Sequence, residues 1–466
     1  MSITELVKLS LAELTGAYAK GRLSPVEVMN VTLAHAGKVN GAINALTSFH
    51  AEEALAEARA SETRWRRGAP KGLLDGVPVT IKDSVARRGW PYSHGLKANA
   101  DIAPSTYDSP PALALMESGA PIFAKTTMPD CGLMASGLSS LFGVTRNPWG
   151  LAWNTGGSSS GGGASIAAGV GFVTVGTDIA GSVRLPSGHC GLASLKPTHG
   201  RVPHLPPDFM RMAGPMARRV EDAARMLTVL ARADERDTWS FPNDGAQYHE
   251  RLDRDLKGVK IGVLTDIGFG PAVEPVVRET VEQTGRLLAG AGAIVEPFRW
   301  PLDWDGYAPM DYFFQVRGLV EISNLPPHGP DGVDADVLAW AKKAEGYKAT
   351  DLYRALADIT RMKGQLLAAC EPYDYLIAPV LPMVNFPADA SGPDRAMPLG
   401  HTVFTAPFNQ TGQPAATLNM GFDARGLPIG VQIVGHRCDD LGVLQVARAL
   451  EDLRGFEMDW PLQPRA

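Results

Sequence analysis

The sequence lacks the features that would place the protein in a membrane. No stretch of about 18 consecutive apolar residues is present to span a bilayer. Residues 1–8 carry charges where a secretory signal would need an apolar core. We therefore expect a cytoplasmic protein without a membrane partner.

Cysteine is also scarce. The four cysteines (Cys131, Cys190, Cys370 and Cys438) are scattered and form no C-x-x-C pair. The sequence therefore gives no support for a disulfide framework or a zinc site. We expect buried free thiols, the usual state of unpaired cysteine, and neither a metal nor an organic cofactor.

An excess of positive charge is absent as well. Lys and Arg number 44 against 50 Asp and Glu, a net charge of −6, and no basic run could hold a phosphate backbone. Hydrophobic residues make up 45% and charged residues 20% of the chain, which is typical of a folded globular protein rather than a disordered one. Nucleic acid is therefore not expected as a partner.

The sequence pattern changes near residue 70. Before it, capping boxes that begin at Ser10 and Ser24 and an Ala- and Glu-rich stretch predict helices. After it, short β-branched runs alternate with helical stretches, which indicates βαβ units. We predict an N-terminal helical arm over 1–70 and one continuous α/β unit over 71–466, with a mixed central β-sheet flanked by helices.

Two segments rich in proline and glycine interrupt this alternation. They lie at 203–215 and at 324–332, and neither resembles a linker between independent domains. We predict that both belong to surface excursions over the sheet, near 203–215 and 300–332.

The most unusual segment is the Gly- and Ser-rich stretch over 154–169. A flexible linker is an unsatisfactory interpretation, because the stretch continues into helix-forming residues and then into the apolar run 170–175. A phosphate-binding loop is also disfavoured, because no Gly-Lys-Ser/Thr follows it. We expect this stretch to form part of a functional site.

A tight turn follows the apolar run and carries Ser182 at its apex. The backbone N–H groups of Ile179, Ala180, Gly181 and Ser182 could converge there on one point, which is what an oxyanion requires. Ser182 is therefore a candidate nucleophile, and it needs a base to remove its proton.

Two kinds of base are available to Ser182. His189 and His199 are close in sequence, but neither belongs to a G-x-S-x-G elbow or to a recognisable triad order. Lys82 directly follows the apolar run 77–81, so its stem would lie in apolar surroundings. Burial lowers the pKa of an ammonium group and lets the neutral amine act as a base, which favours Lys82.

Three motifs together resemble the amidase signature family, whose members use a Ser-Ser-Lys triad. They occupy residues 72–83, 156–159 and 176–182, in the family's order, and the serines at 158 and 182 have the family's 24-position spacing. Further segments are similar to family segments, and the resemblance covers the chain from about 70 to 452. It implies one large α/β domain with a mixed central sheet.

The resemblance also implies a role for each motif residue. Lys82 would be the base, Ser158 the bridging serine after a cis peptide bond, and Ser182 the acyl-enzyme nucleophile. The implied reaction is hydrolysis of a small carboxylic amide to a carboxylate and ammonia or an amine, without metal or organic cofactor.

Other positions are expected to support the site or the substrate. Asp178, Arg184 and Ser159 would brace the nucleophile turn through ion pairs and hydrogen bonds. By similarity to family segments, the pocket would be bordered by Gly132, Leu133 and Met134 and by the excursion that begins at Trp300, with Tyr312 and Phe313 adding apolar surface. This composition favours aryl or alkyl amides.

Two other functions are compatible with the same scaffold. One is the glutaminase subunit of a tRNA-dependent amidotransferase, although the segment after Pro301 lacks the Tyr- and Arg-rich stretch that we associate with that protein. The other is a catalytically inactive binding homologue, which the intact triad positions disfavour. A homodimer is also compatible with the resemblance, since homodimers are frequent in the family.

Overall fold

The structure is a computed structural model that describes residues 1–325 and 329–466. Its helices are α1 (Ile3–Leu6), α2 (Leu11–Ala19), α3 (Pro25–Ile43), α4 (Ala51–Arg66), α5 (Pro110–Glu117), α6 (Ser160–Ala167), α7 (Arg184–Cys190), α8 (Val220–Leu230), α9 (Pro275–Gly290), α10 (Tyr307–Ser323), α11 (Ala335–Lys342), α12 (Ala349–Cys370), α13 (Ala406–Gln410) and α14 (Asp440–Leu453). Short 3-10 helices cover Lys97–Asn99, Asp130–Gly132, Tyr248–Glu250, Gly329–Gly332, Lys343–Gly346 and Gly400–Thr402.

The strands form one large sheet and a small hairpin. They are β1 (Leu46–Thr47), β2 (Val79–Lys82), β3 (Ile122–Thr126), β4 (Leu138–Ser139), β5 (Gly143–Val144), β6 (Val173–Asp178), β7 (Ala193–Lys196), β8 (Met212–Ala217), β9 (Lys260–Val263), β10 (Ile294–Pro297), β11 (Tyr375–Pro379), β12 (Ala415–Phe422) and β13 (Pro428–Gly435). In the described residues the large sheet has 11 strands in the order β1-β3-β2-β6-β8-β7-β12-β13-β11-β9-β10, and β4 pairs only with β5.

The sheet is mixed, as the sequence predicts. Strand β2 runs parallel to both β3 and β6, while β6 runs antiparallel to β8. The hairpin of β12 and β13 is antiparallel, and β9, β10 and β11 run parallel to one another. The α/β fold with a mixed central sheet is therefore confirmed.

Helices cover both faces of the sheet, so its central strands are buried along their whole length. Neighbouring residues of β8 show the two faces. Ala217 packs in a cluster with residues of α8 and α14, whereas Met216 packs with Ile166 of α6 and Cys190 of α7. Side chains alternate between the faces of a strand, so an apolar residue at each position serves both layers.

The first 66 residues pack against the sheet as helices, with one unexpected strand. Ser10 and Ser24 cap α2 and α3 as capping boxes, and the helix bounds confirm both predictions. Leu46 and Thr47 pair with β3 at the sheet edge, a strand too short for its sequence to indicate. The division of the chain into an arm and a larger unit stays a prediction.

The two predicted excursions are shorter than their sequences suggest. Residues 212–215 belong to β8, because the Ala, Gly and Pro there pair with β6 in the middle of the sheet. In the second segment, α10 accounts for Tyr307–Ser323, and positions 326–328 lie outside the described residues.

Other expectations concern membranes, metals and thiols. No helix within the described ranges is long and apolar enough to cross a bilayer, and no group of three or more His, Cys, Asp or Glu side chains there could hold a metal ion. All four cysteines are free. The prediction that the thiols are buried is correct for Cys190 and Cys370 but wrong for Cys438, which is exposed in the turn before α14.

Candidate active site

Lys82 is the last residue of β2 and its side chain is buried. Its Nζ donates hydrogen bonds to Ser158 Oγ over 2.8 Å and to Thr177 Oγ1 over 2.9 Å. Thr177 lies on β6, which pairs with β2 in parallel, so the sheet itself places this hydroxyl beside the amine. Sequence reasoning missed Thr177, because only strand pairing brings it within reach of Lys82.

The surroundings of Lys82 change its protonation. Burial and, after it, the positive charge of Arg211 lower the pKa of the Lys82 amine to about 7, against the opposing effect of Asp178 and Asp83. A large fraction of the amine is therefore neutral near pH 7. A neutral amine can accept a proton, which a lysine at its ordinary pKa could not do there.

Ser158 lies between Lys82 and the pocket. Its peptide bond with Gly157 is cis, as the resemblance implies. Gly132 lies against its hydroxyl, since a Cβ at position 132 would be 2.9 Å from Ser158 Oγ. Gly132 also has a φ of +67°, so glycine is required there by both space and backbone conformation.

A backbone hydrogen bond holds the segment that carries Ser182 against the segment that carries Ser158. The N–H of Ser159 donates to the carbonyl oxygen of Ser182 over 3.2 Å, which joins the two serine segments. Both residues are described, and their hydroxyl oxygens are not hydrogen-bonded to each other. Catalytic contacts of this kind often shorten only when substrate binds.

The turn before Ser182 presents fewer oxyanion donors than the four that the sequence predicts. The N–H of Gly181 donates to Asp178 Oδ1 over 2.8 Å, so this group is already engaged inside the turn. In the part of the chain that the structure describes, the N–H groups of Ile179, Ala180 and Ser182 have no protein acceptor. These three remain the candidate donors to an oxyanion.

Gly181 has a separate structural role in this turn. Its φ is +121°, and a Cβ there would lie 2.4 Å from Thr405 Oγ1. Thr405 in turn donates to the carbonyl oxygen of Ala180 over 2.6 Å, so it holds the turn from below. Glycine at position 181 thus permits the close approach that fixes the nucleophile turn.

Asp178 and Arg184, the two residues predicted to brace the turn, form an ion pair. The Arg184 guanidinium contacts both carboxylate oxygens of Asp178 at 3.0 and 3.1 Å, and both side chains are fully buried. Burial by itself would raise the pKa of Asp178, but its ion pair with Arg184 outweighs this and holds the pKa well below its usual range. Arg184 also donates to the Thr405 carbonyl and to Gln432 Oε1.

Ser159 supports the turn from the side of the Gly- and Ser-rich segment. Its hydroxyl donates to the carbonyl oxygen of Thr177 and accepts from the N–H of Thr177, each over 3.3 Å. The predicted supporting role is consistent with these contacts. Asn409, which sequence reasoning missed, donates to Asp178 Oδ1 over 2.8 Å from α13, 231 positions away.

The histidines near Ser182 in sequence do not act on it in the structure. His189 is fully buried. Burial and, after it, the charge of His401 lower the pKa of the His189 imidazole to about 3. The ring of His199 is hydrogen-bonded to the carbonyl oxygen of Asp208 over 2.9 Å. The preference for Lys82 over these two residues agrees with the geometry.

A narrow cavity of about 30 Å³ opens at Ser182. Its lining is mostly apolar and consists of Cys131, Gly132, Leu133, Met134, Ala135, Ile179, Ala180, Ser182, Phe314, Arg317, Leu399 and Thr402. Gly132, Leu133 and Met134, expected at the pocket from the family resemblance, are among these lining residues. The segment after Trp300 also contributes, but through different residues.

Helix α10 presents Phe314 and Arg317 to the cavity. The prediction of Tyr312 and Phe313 is wrong for this lining, since Tyr312 stacks on Tyr347 and Phe313 packs against Phe209. Residues 314 and 317 are three apart and so share one helix face. Residues 312–314 are all aromatic, so the sequence did not indicate which face of α10 would line the cavity.

Arg184→Ala should destabilise the fold rather than act on turnover alone. The change leaves the buried Asp178 carboxylate without its partner, which costs about 3–5 kcal/mol in comparable buried pairs. We expect a lower folded yield and a lower free energy of unfolding, measured by urea denaturation. Arg354→Ala is a matched control at an exposed ion pair and should cost at most about 1 kcal/mol. A fully stable Arg184→Ala protein that had lost turnover would contradict the bracing role.

Comparison with known proteins adds to this geometry. The chain matches the family described as Amidase over residues 27–316 and 320–444. It is 31% identical to a subunit of the glutamyl-tRNA(Gln) amidotransferase of Myxococcus xanthus over 488 aligned residues, covering 97% of this chain and 98% of that protein. The corresponding protein of Chloroflexus aurantiacus is 30% identical and covers 98% of this chain and 99% of its own length.

Solved structures with the same fold include several hydrolases. A bacterial aryl acylamidase of the amidase signature enzymes superposes with a TM-score of 0.91 at 25% identity, covering 98% of both chains. A 6-aminohexanoate cyclic dimer hydrolase superposes with a TM-score of 0.87 at 27% identity, covering 96% of this chain and 97% of its own. The peptide amidase of Stenotrophomonas maltophilia has a TM-score of 0.80 at 25% identity, with 97% and 98% covered.

Proposed function

This chain belongs to the amidase signature family, and from that premise we propose that Lys82, Ser158 and Ser182 hydrolyse a carboxylic amide through an acyl-enzyme on Ser182. The observation that carries this proposal is the hydrogen bond of 2.8 Å between a buried amine with a pKa near 7 and Ser158. A base of that pKa is suited to proton transfer at neutral pH.

The reaction follows from the order of these groups. Neutral Lys82 accepts the proton of Ser158, Ser158 accepts that of Ser182, and Ser182 Oγ attacks the amide carbonyl. The N–H groups of Ile179, Ala180 and Ser182 stabilise the oxyanion. Ser158 then protonates the leaving nitrogen and takes a proton back from the Lys82 ammonium, and the C–N bond breaks. Lys82 is then neutral again, so water hydrolyses the ester on Ser182 through the same relay.

The cavity supports an aryl or alkyl amide as substrate. Leu133, Met134, Phe314 and Leu399 contribute apolar surface beside Ser182, and such surface favours an apolar acyl or amine group. The structurally similar hydrolases are described as acting on aryl acylamides, a cyclic dimer and peptides, so the family's scaffold accommodates differing amides. The substrate range therefore depends on this lining.

Glutamine hydrolysis for an amidotransferase is the second candidate, because the similar curated proteins belong to that enzyme. Glutamine carries an ammonium group, which would need a carboxylate partner. The cavity lining within the described residues contains no acidic side chain, and Arg317 is its one charged residue. This lining favours a free-standing amidase. Separately, we propose that the chain forms a homodimer and is located in the cytoplasm.

Ser182→Ala should abolish labelling by a serine-directed fluorophosphonate, because the reagent needs an activated hydroxyl. Labelling is measured by intact-protein mass spectrometry. Ser165→Ala on α6 is a control with a buried hydroxyl outside the site, and it should label as the wild type does. Unchanged labelling of Ser182→Ala would refute the assignment, and an unlabelled wild type would favour an inactive binding homologue.

The pH dependence of kcat/KM should report the Lys82 amine. Only the neutral amine accepts a proton, so activity should rise with pH, level off above an apparent pKa of about 7, and fall about tenfold per pH unit well below it. The value of kcat/KM is measured at each pH with an uncharged anilide as substrate, and circular dichroism verifies that the protein stays folded. A flat profile from about pH 5 to about pH 9 would contradict the role of Lys82 as base.

The purified chain alone should hydrolyse at least one class of uncharged amide. A panel of primary amides, anilides, hydrazides and short acyl ureas, with glutamine included, is assayed with wild type and Lys82→Ala. We expect an aryl or alkyl amide to be the best substrate and Lys82→Ala to lose at least about 100-fold in rate, the contribution typical of a general base. Hydrolysis of glutamine alone would support the glutaminase instead.

A further inference from the structure

A second group of polar side chains lies beside the catalytic lysine and, apart from the effect of Arg211 on the Lys82 pKa, takes no part in the mechanism above. It consists of Tyr92, His94, His204 and Arg211, which we call the polar cluster. Tyr92 Oη, His94 Nε2, both ring nitrogens of His204 and Arg211 Nε are buried, and none makes a hydrogen bond of normal geometry to a described residue. Buried polar atoms are nearly always paired, so five such atoms in one place call for a partner.

The backbone places the polar cluster next to the site. Arg211 directly precedes β8, whose Met212 pairs with Asp178 at the end of β6, so Arg211 emerges opposite the nucleophile turn. On the other side, the N–H of Gly95 donates to Asp83, the residue after Lys82, over 3.1 Å. The carbonyl oxygen of His94 accepts from the N–H of Cys131, which lines the cavity, over 2.8 Å.

One ring contact and the charge of Arg211 connect the members of the polar cluster. The rings of Tyr92 and His94 meet edge to face with centroids 4.3 Å apart. After burial, the charge of Arg211 lowers the pKa of His204, and Arg211 also acts on His94 and on Lys82. Burial lowers the pKa of His94 to about 4, so this imidazole is neutral near pH 7.

Arg211 is the one fixed positive charge of the polar cluster, and its nearest carboxylates are committed elsewhere. Asp208 accepts from Arg317 Nη1 over 2.7 Å and from the N–H groups of Met210 and Arg211. Glu321 accepts from Arg317 Nε over 3.0 Å. Arg211 itself donates to the carbonyl oxygen of Pro206, and it forms no ion pair with any described residue.

We propose that the polar cluster is a subsite for a carboxylate of the substrate, so that the preferred amides carry an apolar group on one side and a carboxylate on the other. This inference rests on the proposed amide hydrolysis, and it specifies which class of amide the enzyme prefers. Guanidinium, phenol and imidazole N–H groups are suitable donors to a carboxylate. The adjacent Asp83 carboxylate is paired with Lys125 Nζ over 3.2 Å and accepts from Ser93 and Gly95, so it is not free to bind an ammonium group, which disfavours an amino acid such as glutamine.

Two matched pairs of amides test the subsite. Glutaric acid monoanilide against pentananilide places the carboxylate on the acyl part, and N-hexanoyl-para-aminobenzoate against N-hexanoyl-para-toluidine places it on the amine part. The measured quantity is the ratio of kcat/KM for the acid to kcat/KM for its neutral partner at one pH. This ratio cancels any change in the protonation of Lys82, which Arg211 also influences.

We expect wild type to prefer the acid in one series and Arg211→Met to lower that ratio about 10- to 100-fold, the usual effect of removing a charged hydrogen bond. Tyr92→Phe removes a single hydroxyl and should lower the ratio about 3- to 10-fold even if Arg211→Met folds poorly. Arg225→Met on α8, whose guanidinium donates to the Leu73 carbonyl, is the matched control and should keep the wild-type ratio.

Two results would overturn the subsite. Wild type could hydrolyse the neutral amides without preferring either acid, or Arg211→Met and Tyr92→Phe could leave the ratio unchanged. In both cases the unpaired atoms would be hydrated instead. Absence of any hydrolysis together with absence of Ser182 labelling would overturn the proposed function itself, and that outcome is distinct because a failed subsite leaves turnover of the neutral amides.

Discussion

Burial of the Lys82 amine at the end of β2 is the constraint on which the site depends. An ammonium group in that position would lose its hydration, so the low-dielectric surroundings favour the neutral form. The amine then needs hydroxyl partners, and Ser158 and Thr177 supply them at 2.8 and 2.9 Å. The same burial that would destabilise a charged lysine therefore gives a base that works near neutral pH.

The nucleophile turn depends on a second buried charge arrangement. Asp178 accepts from Gly181, Val183, Arg184 and Asn409, so one carboxylate organises the backbone on both sides of Ser182. This leaves the Gly181 N–H unavailable to an oxyanion, while the N–H groups of Ile179, Ala180 and Ser182 have no acceptor among the described residues. Rigidity of the turn and number of oxyanion donors are thus linked, because the carboxylate that fixes the turn occupies one donor.

The walls of the site come from parts of the chain that are distant in sequence. Asp208, in the excursion before β8, is bonded to Arg317 on α10, and Phe209 packs against Phe313 of the same helix. These contacts connect the excursion to α10 beside the cavity. Arg317 is neutralised by Asp208 and Glu321, whereas Arg211 is not, which gives the two arginines different chemical roles.

The sequence by itself determined the parts of this protein that rest on local pattern and on spacing within motifs. The capping boxes at Ser10 and Ser24 and the alternation that predicts a mixed sheet agree with the structure, and Lys82 and Ser158, predicted from their motifs, are hydrogen-bonded to each other. Local propensity and side-chain chemistry are encoded within a few residues, so they can be read without a fold.

Tertiary structure alone decided which distant groups meet. Thr177 reaches Lys82 through the pairing of β2 and β6, and Asn409 reaches Asp178 from α13. The phase of α10, which selects Phe314 over Phe313, follows from packing against its neighbours rather than from its own apolar pattern. The pairing state of Arg211 and Arg317 also depends on which carboxylates the fold brings near, and no spacing in the chain specifies that.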